Sequence, residues 1–238
     1  MKISTPKNIM FQKEAGAPEG AIVLIFDLEG FSKFFGQADI HYHVTKFLNR
    51  VFECFETIIN GGNAHWLKGK PELQPFQQPI HQKFLGDGAL YVWTYKKQED
   101  DEVKEKYIHF LNNLWDFKAN YLRFLDTIYD EIPLFDIPKR IRVGLASGSV
   151  YKLDYSEEGE SEYIGYCINL ASRLQGYCRE LSFMASARIG YTSSFLEEHG
   201  YTKVVAKKIA GFPKEIIIVK KHEYEALDEQ IKNELFEL

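Results

Sequence analysis

Cysteine is scarce in this 238-residue chain. Its three cysteines, Cys54, Cys167 and Cys178, lie far apart and form no CxxC pair. Such spacing suggests neither a disulfide framework nor a structural zinc site. We therefore expect the protein to work in a reducing compartment, and we predict that it is cytoplasmic.

Long hydrophobic runs and an excess of basic residues are also missing. The longest purely apolar runs, such as residues 21–26, are far too short to cross a bilayer, and residues 1–20 contain no apolar signal-peptide core. The formal net charge is -5. Neither a nucleic acid nor a membrane is therefore expected as a partner, because both would need a basic patch. The mildly acidic net charge therefore favours small ligands, which a few neighbouring side chains can bind.

The sequence has no internal repeat, no low-complexity tract and no Pro/Gly-rich linker. An apolar fraction of 45% and a charged fraction of 26% are typical of a globular protein. These features predict one domain over residues 1–238, without a separate sensor segment. Any regulation is then expected to act on the catalytic or binding domain itself.

The first half of the chain is predicted to alternate strand, helix and hairpin. A β-branched apolar run at 21–26 predicts a buried strand that ends at Asp27, and helical spacing follows over 31–59 with a break near 37–39. Four breakers make 63–79 an extended loop or irregular hairpin. Two further strands, at 80–85 and 89–95, flank the tight turn Gly86-Asp87-Gly88.

The second half continues this alternation. A helix that opens at 96–106 carries an apolar stripe that includes Leu122 and Ile128. Later helices are predicted at 164–178 and 194–198 and strands at 140–150, 181–185, 202–207 and 215–220, with a polar turn at 156–161 and an acidic helical tail at 223–238. This order predicts an α/β fold, an α+β sandwich with a mixed or antiparallel sheet flanked by helices.

Two aspartates lie at positions that suggest a function, one at the end of a buried strand and one at the tip of a hairpin. Asp27 ends a buried strand, and desolvating an unpaired carboxylate costs several kcal/mol, so a positive group should meet it. It either caps the helix that begins near Gly30 or binds a metal. Asp87 at the hairpin tip supplies a second carboxylate, and two aspartates on adjacent strand ends can bridge two divalent cations, an arrangement that serves phosphoryl transfer.

Two helix segments carry groups suited to a phosphorylated ligand. Gly30, Phe31 and Ser32 begin a helix, where free backbone N–H groups favour phosphate oxygens. Asn169 and Arg173 are four residues apart and so share one helix face. An amide beside a guanidinium can orient a sugar and neutralise a phosphate, although many such pairs are ordinary surface residues.

Four segments together resemble, in order, the motifs of class III nucleotidyl cyclase catalytic domains. They are FDLEGFS at 26–32, KFLGDG at 83–88, RVGLASG at 142–148 and GYCINLASRLQ at 165–175. The resemblance covers residues 21 to about 220. It implies a cyclase-like mixed sheet and the conversion of a nucleoside triphosphate to a 3′,5′-cyclic nucleotide and pyrophosphate.

The resemblance also implies residue roles. Asp27 and Asp87, with the Leu28 carbonyl, would hold two Mg²⁺ or Mn²⁺ ions. Asn169 would orient the ribose, and Arg173 would stabilise charge on the α-phosphate. In this family a homodimer forms two composite sites, with the metal ligands from one subunit and the Asn/Arg pair from the other.

Recognition of the base is implied for Lys83 and Glu162. A lysine donor beside a carboxylate acceptor matches adenine, cytosine or uracil, so these groups leave the base open. The chain also departs from the family pattern. Tyr166 replaces the usual Asp or Asn, and no lysine directly precedes Gly211, so either Lys207 or Lys208 takes the phosphate contact or the contact is missing. The insertion at 63–79 could cover the site or extend the dimer.

Three features look most like the pyrimidine cyclases of bacterial Pycsar anti-phage systems. They are the amino-acid sequence of residues 168–177, the insertion at 63–79 and a cyclase domain without a sensor. This implies a cyclic UMP or cyclic CMP messenger and a separate effector that binds it. An adenylyl cyclase that makes cyclic AMP is the first alternative. A degenerate nucleotide-binding module is the second, and retention of Asp27, Asp87, Asn169 and Arg173 argues against it.

Overall fold

A computed structural model describes residues 16–59, 78–95, 100–129, 131–132, 135–154 and 161–237. Most of the predicted insertion at 63–79, and of the turn at 156–161, lies outside the described residues. None of the helices within the described ranges has the length and apolar character to span a bilayer.

The described residues form nine strands and seven α-helices that alternate along the chain. Short 3₁₀ turns at Ile40–Tyr42 and Ala187–Ile189 supplement them. The elements are β1 Glu19–Glu29, α1 Phe31–Phe35, α2 Val44–Ile59, β2 His81–Phe84, β3 Gly88–Tyr95, α3 Asp100–Tyr129, β4 Arg140–Asp154, β5 Ser161–Ile164, α4 Tyr166–Tyr177, β6 Met184–Ser186, α5 Ser193–Glu198, β7 Tyr201–Ile209, β8 Phe212–Lys220, α6 Lys221–Ala226, α7 Glu229–Leu235 and β9 Phe236–Glu237.

The strands form one mixed sheet in the order β2-β3-β1-β4-β6-β8-β7-β9, and β5 pairs with the far end of β4. Strands β4 and β6 run parallel, whereas the other described pairs are antiparallel. The predicted mixed sheet flanked by helices is therefore confirmed. Strand β1 lies between β3 and β4, so the residues that follow its apolar run meet two neighbouring strands.

The sheet carries a hydrophobic core on each face. Alternation along β1 sends Ile22, Leu24 and Phe26 to the core shared with α2 and α3, and sends Val23 and Ile25 to the core shared with α4. Because both faces are covered, β1 reads as a continuous apolar run rather than an alternating one.

Helix α4 lies unusually close to β4 because a glycine stands beneath it. A Cβ at Gly144 would come within 2.0 Å of the Ala171 carbonyl oxygen and 2.5 Å of the Gln175 nitrogen. No side chain larger than hydrogen fits this contact without moving the helix. The glycine therefore sets the height of α4 above the sheet.

Two strand predictions need correction. Strand β6 spans Met184–Ser186 rather than 181–185, because Arg140 Nη2 donates hydrogen bonds to the carbonyls of Cys178 and Leu181 and holds that stretch outside the ladder. Strand β5, Ser161–Ile164, was not predicted. It is short and only partly buried, so it lacks the apolar pattern that marks a strand.

Two helix predictions were also wrong in detail. Leu122 is 59% exposed, since it lies about 100° round α3 from the buried Tyr121. The acidic tail is not one helix but α6, α7 and β9. It breaks at Asp228, whose carboxylate accepts a hydrogen bond from the Gln230 nitrogen and caps α7.

The close seat of α4 makes a prediction about stability. We expect Gly144→Ala to lower the free energy of unfolding by about 2 kcal/mol or more, since the methyl group overpacks the helix contact. Gly176→Ala, in the last turn of α4 with open space at its Cβ position, is the matched control and should be neutral or stabilising by up to about 1 kcal/mol. Urea denaturation measures both, and equal effects of the two substitutions would contradict the close-packing account.

Candidate active site

Asp27 ends the apolar run of β1 and is paired with arginine. Strand register places it opposite Arg142 on β4 and Gly88 on β3. Arg142 Nε donates to Asp27 Oδ1 at 2.9 Å, and Arg142 Nη2 donates to Oδ2. The carboxylate is only 17% exposed, so this bidentate pair supplies the positive partner that the sequence required without identifying it.

The alternative role of Asp27 as a helix cap is wrong. Helix α1 begins after Gly30, which has a left-handed φ of 84° and makes no side-chain cap. Gly30 therefore turns the chain from β1 into α1 without help from the aspartate.

Asp87 is brought against the same strand end by the β2–β3 hairpin. The Leu28 nitrogen donates a hydrogen bond to the Asp87 carbonyl at 2.9 Å. A Cβ at Gly88 would lie 1.8 Å from the Phe26 carbonyl oxygen, so only glycine allows this approach. Burial and then the charge of Asp27 raise the pKa of Asp87, which means that the two carboxylates are close enough to repel.

The donor set at these strand ends fits a hard divalent cation. Two carboxylates and a backbone carbonyl are oxygen ligands, and Mg²⁺ is usually held by one or two carboxylates together with substrate phosphates and water. Among the described residues there is no group of three or more His, Cys, Asp and Glu side chains that could hold a metal.

A cleft of about 550 Å³ opens beside Asp87. Phe31 and Ser32 of α1 line it, together with Phe84 and Gly86 of the hairpin. Its walls are mostly apolar, and Ser32 and Asp87 are the polar side chains in its lining. Such a cleft suits a ligand with a flat ring and a charged end.

Asn169 and Arg173 are placed on α4 as the spacing predicted. The helix turns Cys167, Leu170 and Leu174 into the core, and both predicted residues are exposed on the outer side. None of the described contacts joins either of them to Asp27, Asp87 or Arg142. Within one chain, then, the site residues form two separate groups.

Lys83 and Glu162 are brought together across 79 positions of sequence. Lys83 Nζ on β2 pairs with Glu162 Oε1 on β5. His81 Nε2 lies 3.5 Å from the other oxygen, Glu162 Oε2. His81 was not predicted from the sequence, although its position two residues before Lys83 on the same strand places both on one face.

Tyr166, where the chain departs from the family pattern, belongs to a separate polar network. Its hydroxyl accepts a hydrogen bond from Arg188 Nη2 at 2.8 Å, and Arg188 also pairs through two nitrogens with Glu215, which is 4% exposed. Burial of Glu215 explains why it needs the bidentate partner. This network was not predicted from the sequence.

The two lysines near the β7–β8 turn are not equivalent. Lys207 Nζ donates to the Asn233 carbonyl at 3.2 Å. Lys208 is exposed, has a left-handed φ of 57°, and makes no hydrogen bond or ion pair with any residue in the described ranges. Of the two, Lys208 is therefore the lysine available to a ligand.

Comparisons with known proteins agree on the fold. No protein-family model matches the sequence, and no curated protein matches it. Among solved structures, the adenylyl cyclase CyaB from P. aeruginosa is similar with a TM-score of 0.58 and 16% identity, over 87% of this chain and 96% of CyaB. The guanylyl cyclase Cya2 is similar with a TM-score of 0.54 and 17% identity, over 87% of this chain and 93% of Cya2.

A third similar structure is the catalytic core of a rhodopsin-guanylyl cyclase with converted specificity, in complex with ATPαS. Its TM-score is 0.52 at 16% identity, over 87% of this chain and 98% of that core. The chain therefore has the fold of adenylyl and guanylyl cyclase catalytic domains.

Proposed function

We propose that the protein is a nucleotidyl cyclase, which converts a nucleoside triphosphate to a 3′,5′-cyclic nucleotide and pyrophosphate. The observation that carries this proposal is the meeting of Asp27 and Asp87 at adjacent strand ends of a cyclase fold, beside a cleft of nucleotide size. The charge of Asp27 raises the pKa of Asp87, and a cation between two such carboxylates would relieve their repulsion.

The reaction assigned to this site is an internal displacement. The ribose 3′-hydroxyl loses its proton to solvent water and its oxygen forms a bond to the α-phosphorus, while the bond from that phosphorus to the bridging oxygen breaks and pyrophosphate leaves. Two divalent cations, Mg²⁺ or Mn²⁺, would lower the pKa of the 3′-hydroxyl and neutralise the triphosphate. Asp27, Asp87 and the Leu28 carbonyl are the groups proposed to hold them, and the backbone at Gly30, Phe31 and Ser32 binds phosphate oxygens.

Arg142 has a defined part in this scheme. It neutralises Asp27 through two hydrogen bonds. Each Asp27 oxygen keeps a lone pair that could ligate a cation, but the cation and the guanidinium would repel each other, so cation binding favours release of Arg142. Arg142 then stands free beside the triphosphate, where a planar cation binds phosphate oxygens well.

Asn169 and Arg173 are proposed to act on the substrate held by a second subunit. Both point outward from α4, away from the sheet that carries Asp27. A symmetric homodimer with a two-fold axis would bring each α4 to the partner's cleft and create two equivalent composite sites. Asn169 then orients the ribose, and Arg173 stabilises negative charge that develops on the α-phosphate.

For the base we propose a pyrimidine, uracil or cytosine, read by Lys83 and Glu162. Support comes from two aromatic rings next to this pair, since His81, which approaches Glu162, packs against Tyr163 at a centroid distance of 5.2 Å. Rings in this position would leave less room for a purine than for a pyrimidine. The cyclic UMP or cyclic CMP would serve as a messenger for a separate anti-phage effector, as the resemblance of the sequence implies.

An adenylyl cyclase is the second candidate, because a lysine donor beside a glutamate acceptor also matches the edge of adenine. A nucleotide-binding module without turnover is the third. Product analysis separates all three possibilities.

Incubation of the purified protein with Mn²⁺ and each of the four nucleoside triphosphates tests the function. We expect a cyclic pyrimidine nucleotide and pyrophosphate, identified by mass spectrometry. Asp27→Ala and Asp87→Ala should abolish turnover, and Arg173→Ala should lower kcat by about a hundredfold or more, the usual loss for a charge-stabilising donor.

The control for these variants is Arg179→Ala, two residues beyond α4, where Arg179 forms an exposed pair with Glu234. Its turnover should stay within about twofold of the wild type. Efficient cyclic AMP synthesis would refute the pyrimidine preference, and binding without any product would leave the nucleotide-binding module. Normal turnover by Asp27→Ala would end the metal-ligand assignment.

The composite site makes a separate prediction. Inactive Asp27→Ala protein mixed with inactive Arg173→Ala protein should regain activity, because one site of each heterodimer keeps every group while the other loses both. At most half of the wild-type activity per dimer is expected. Subunit exchange must first be shown by energy transfer between labelled subunits. Exchange without recovered activity would mean that Arg173 does not act across the interface.

The Asp27–Arg142 pair can be tested through stability without added metal. We expect Arg142→Met to lower the free energy of unfolding by about 1–3 kcal/mol, since it leaves a mostly buried carboxylate unpaired. The double variant Asp27→Asn/Arg142→Met should recover most of that loss. Arg179→Met, which breaks an exposed pair, should change stability by less than about 1 kcal/mol.

Added Mn²⁺ should raise the thermal midpoint of Arg142→Met more than that of the wild type, because Asp27 no longer has to release a guanidinium. An equal rise in both proteins would argue against Asp27 as a ligand that competes with Arg142.

A further inference from the structure

His81 lies beside the Lys83–Glu162 pair that is proposed to recognise the base, although it is not expected to touch the base itself. On β2, His81 and Lys83 pair with Val92 and Leu90 of β3, both of which face the α4 side of the sheet. The two side chains therefore share one face of β2, and Glu162 on β5 reaches them from across the sheet.

Each oxygen of Glu162 faces a different nitrogen. Oε1 pairs with Lys83 Nζ, whereas Oε2 lies 3.5 Å from His81 Nε2. That nitrogen is buried and makes no hydrogen bond with any described residue, and the His81 side chain is 15% exposed. Since a carboxylate oxygen only accepts, the tautomer that suits this approach carries its proton on Nε2. A small movement of Glu162 would complete the bond.

We propose that His81 is a positioning residue for base selection: once a small movement of Glu162 closes the 3.5 Å gap, His81 Nε2 donates to Oε2, so that an incoming base meets Glu162 through Oε1 and Lys83 alone. The proposal rests on the proposed cyclase function. A base that donates to Oε1 must loosen the Lys83–Glu162 pair, and at that moment His81 is the group that keeps the carboxylate from rotating. A fixed acceptor discriminates between bases better than a mobile one, since a wrong base leaves it unpaired.

The electrostatics of the cluster give this role a pH dependence. The titratable groups that face His81 are Glu162 and Tyr163 on β5 and Lys83 on its own strand. Burial lowers the pKa of His81 below its usual value despite the pull of Glu162, so His81 is neutral at pH 7. Protonation in acid would turn it into a cation that draws Glu162 away from the base, so KM should rise as the pH falls through that pKa.

The experiment compares wild type, His81→Ala and His81→Gln with all four nucleoside triphosphates from pH 5.5 to 8. His81→Ala should raise KM for the preferred triphosphate and reduce its kcat/KM advantage over the others by about threefold to tenfold, with kcat within about twofold. His81→Gln keeps an N–H donor and should restore most of the selectivity. It should also abolish the rise of KM in acid, because an amide does not titrate.

Gln82→Ala is the matched control. Gln82 neighbours His81 on β2 but pairs with Tyr91, on the opposite face, so its removal should leave the selectivity unchanged. Imidazole nitrogen NMR of full-length protein adds a readout apart from activity. The pKa of His81 should fall further in Glu162→Gln, because the neighbouring negative charge is gone.

The outcomes separate this role from the proposed function. If the wild type turns over none of the four triphosphates, the cyclase function fails and the base-selection role fails with it. If the wild type is active but His81→Ala and His81→Gln both keep wild-type selectivity and pH profile, the role of His81 is overturned while the cyclase function stands. An unchanged His81 pKa in Glu162→Gln would also overturn it, since the contact with Glu162 would then carry no charge interaction.

Discussion

A carboxylate two residues before the end of a strand that is covered on both faces is the constraint on which the site depends. Strand β1 has helices above and below it and a strand on each side, so the charge of Asp27 cannot reach bulk water freely. Arg142 of β4 lies opposite Asp27 in the strand register and neutralises its charge. The β2–β3 hairpin contacts β1 at Leu28 and brings Asp87 beside Asp27. The residues that join these strands are therefore next to the proposed site residues.

Glycines let the backbone bring these groups so close. Gly88 allows the hairpin to touch the Phe26 carbonyl, and Gly144 allows α4 to rest directly on β4. The first contact sets where Asp87 lies against Asp27, and the second sets the height from which Asn169 and Arg173 project. Any larger residue at either glycine would change the geometry of the site as well as the stability of the fold.

Local pattern predicted much of this structure, and long-range partners explain what it missed. The apolar run of β1, the turn at Gly86-Asp87-Gly88 and the periodicity of α4 are local signals, and each element formed close to its predicted bounds. Arg142 stands 115 positions from Asp27, and Glu162 stands 79 from Lys83, so only the register of distant strands brings them together. His81 was missed for the same reason, since nothing near it in sequence identifies Glu162 as its neighbour.

Two carboxylates of the proposed site are held in ion pairs, Asp27 with Arg142 and Glu162 with Lys83. These pairs limit the free-energy cost of keeping both carboxylates in the fold, whereas Asp87 remains beside Asp27 with a raised pKa. In the proposed function, a cation would replace Arg142 at Asp27, the triphosphate would replace Asp27 at Arg142, and the base would form hydrogen bonds in place of part of the Lys83–Glu162 pair. Affinity then depends on how much more favourable the ligand contacts are than the ion pairs they replace. A base whose hydrogen-bonding edge does not match Lys83 and Glu162 would gain the least binding free energy from this exchange.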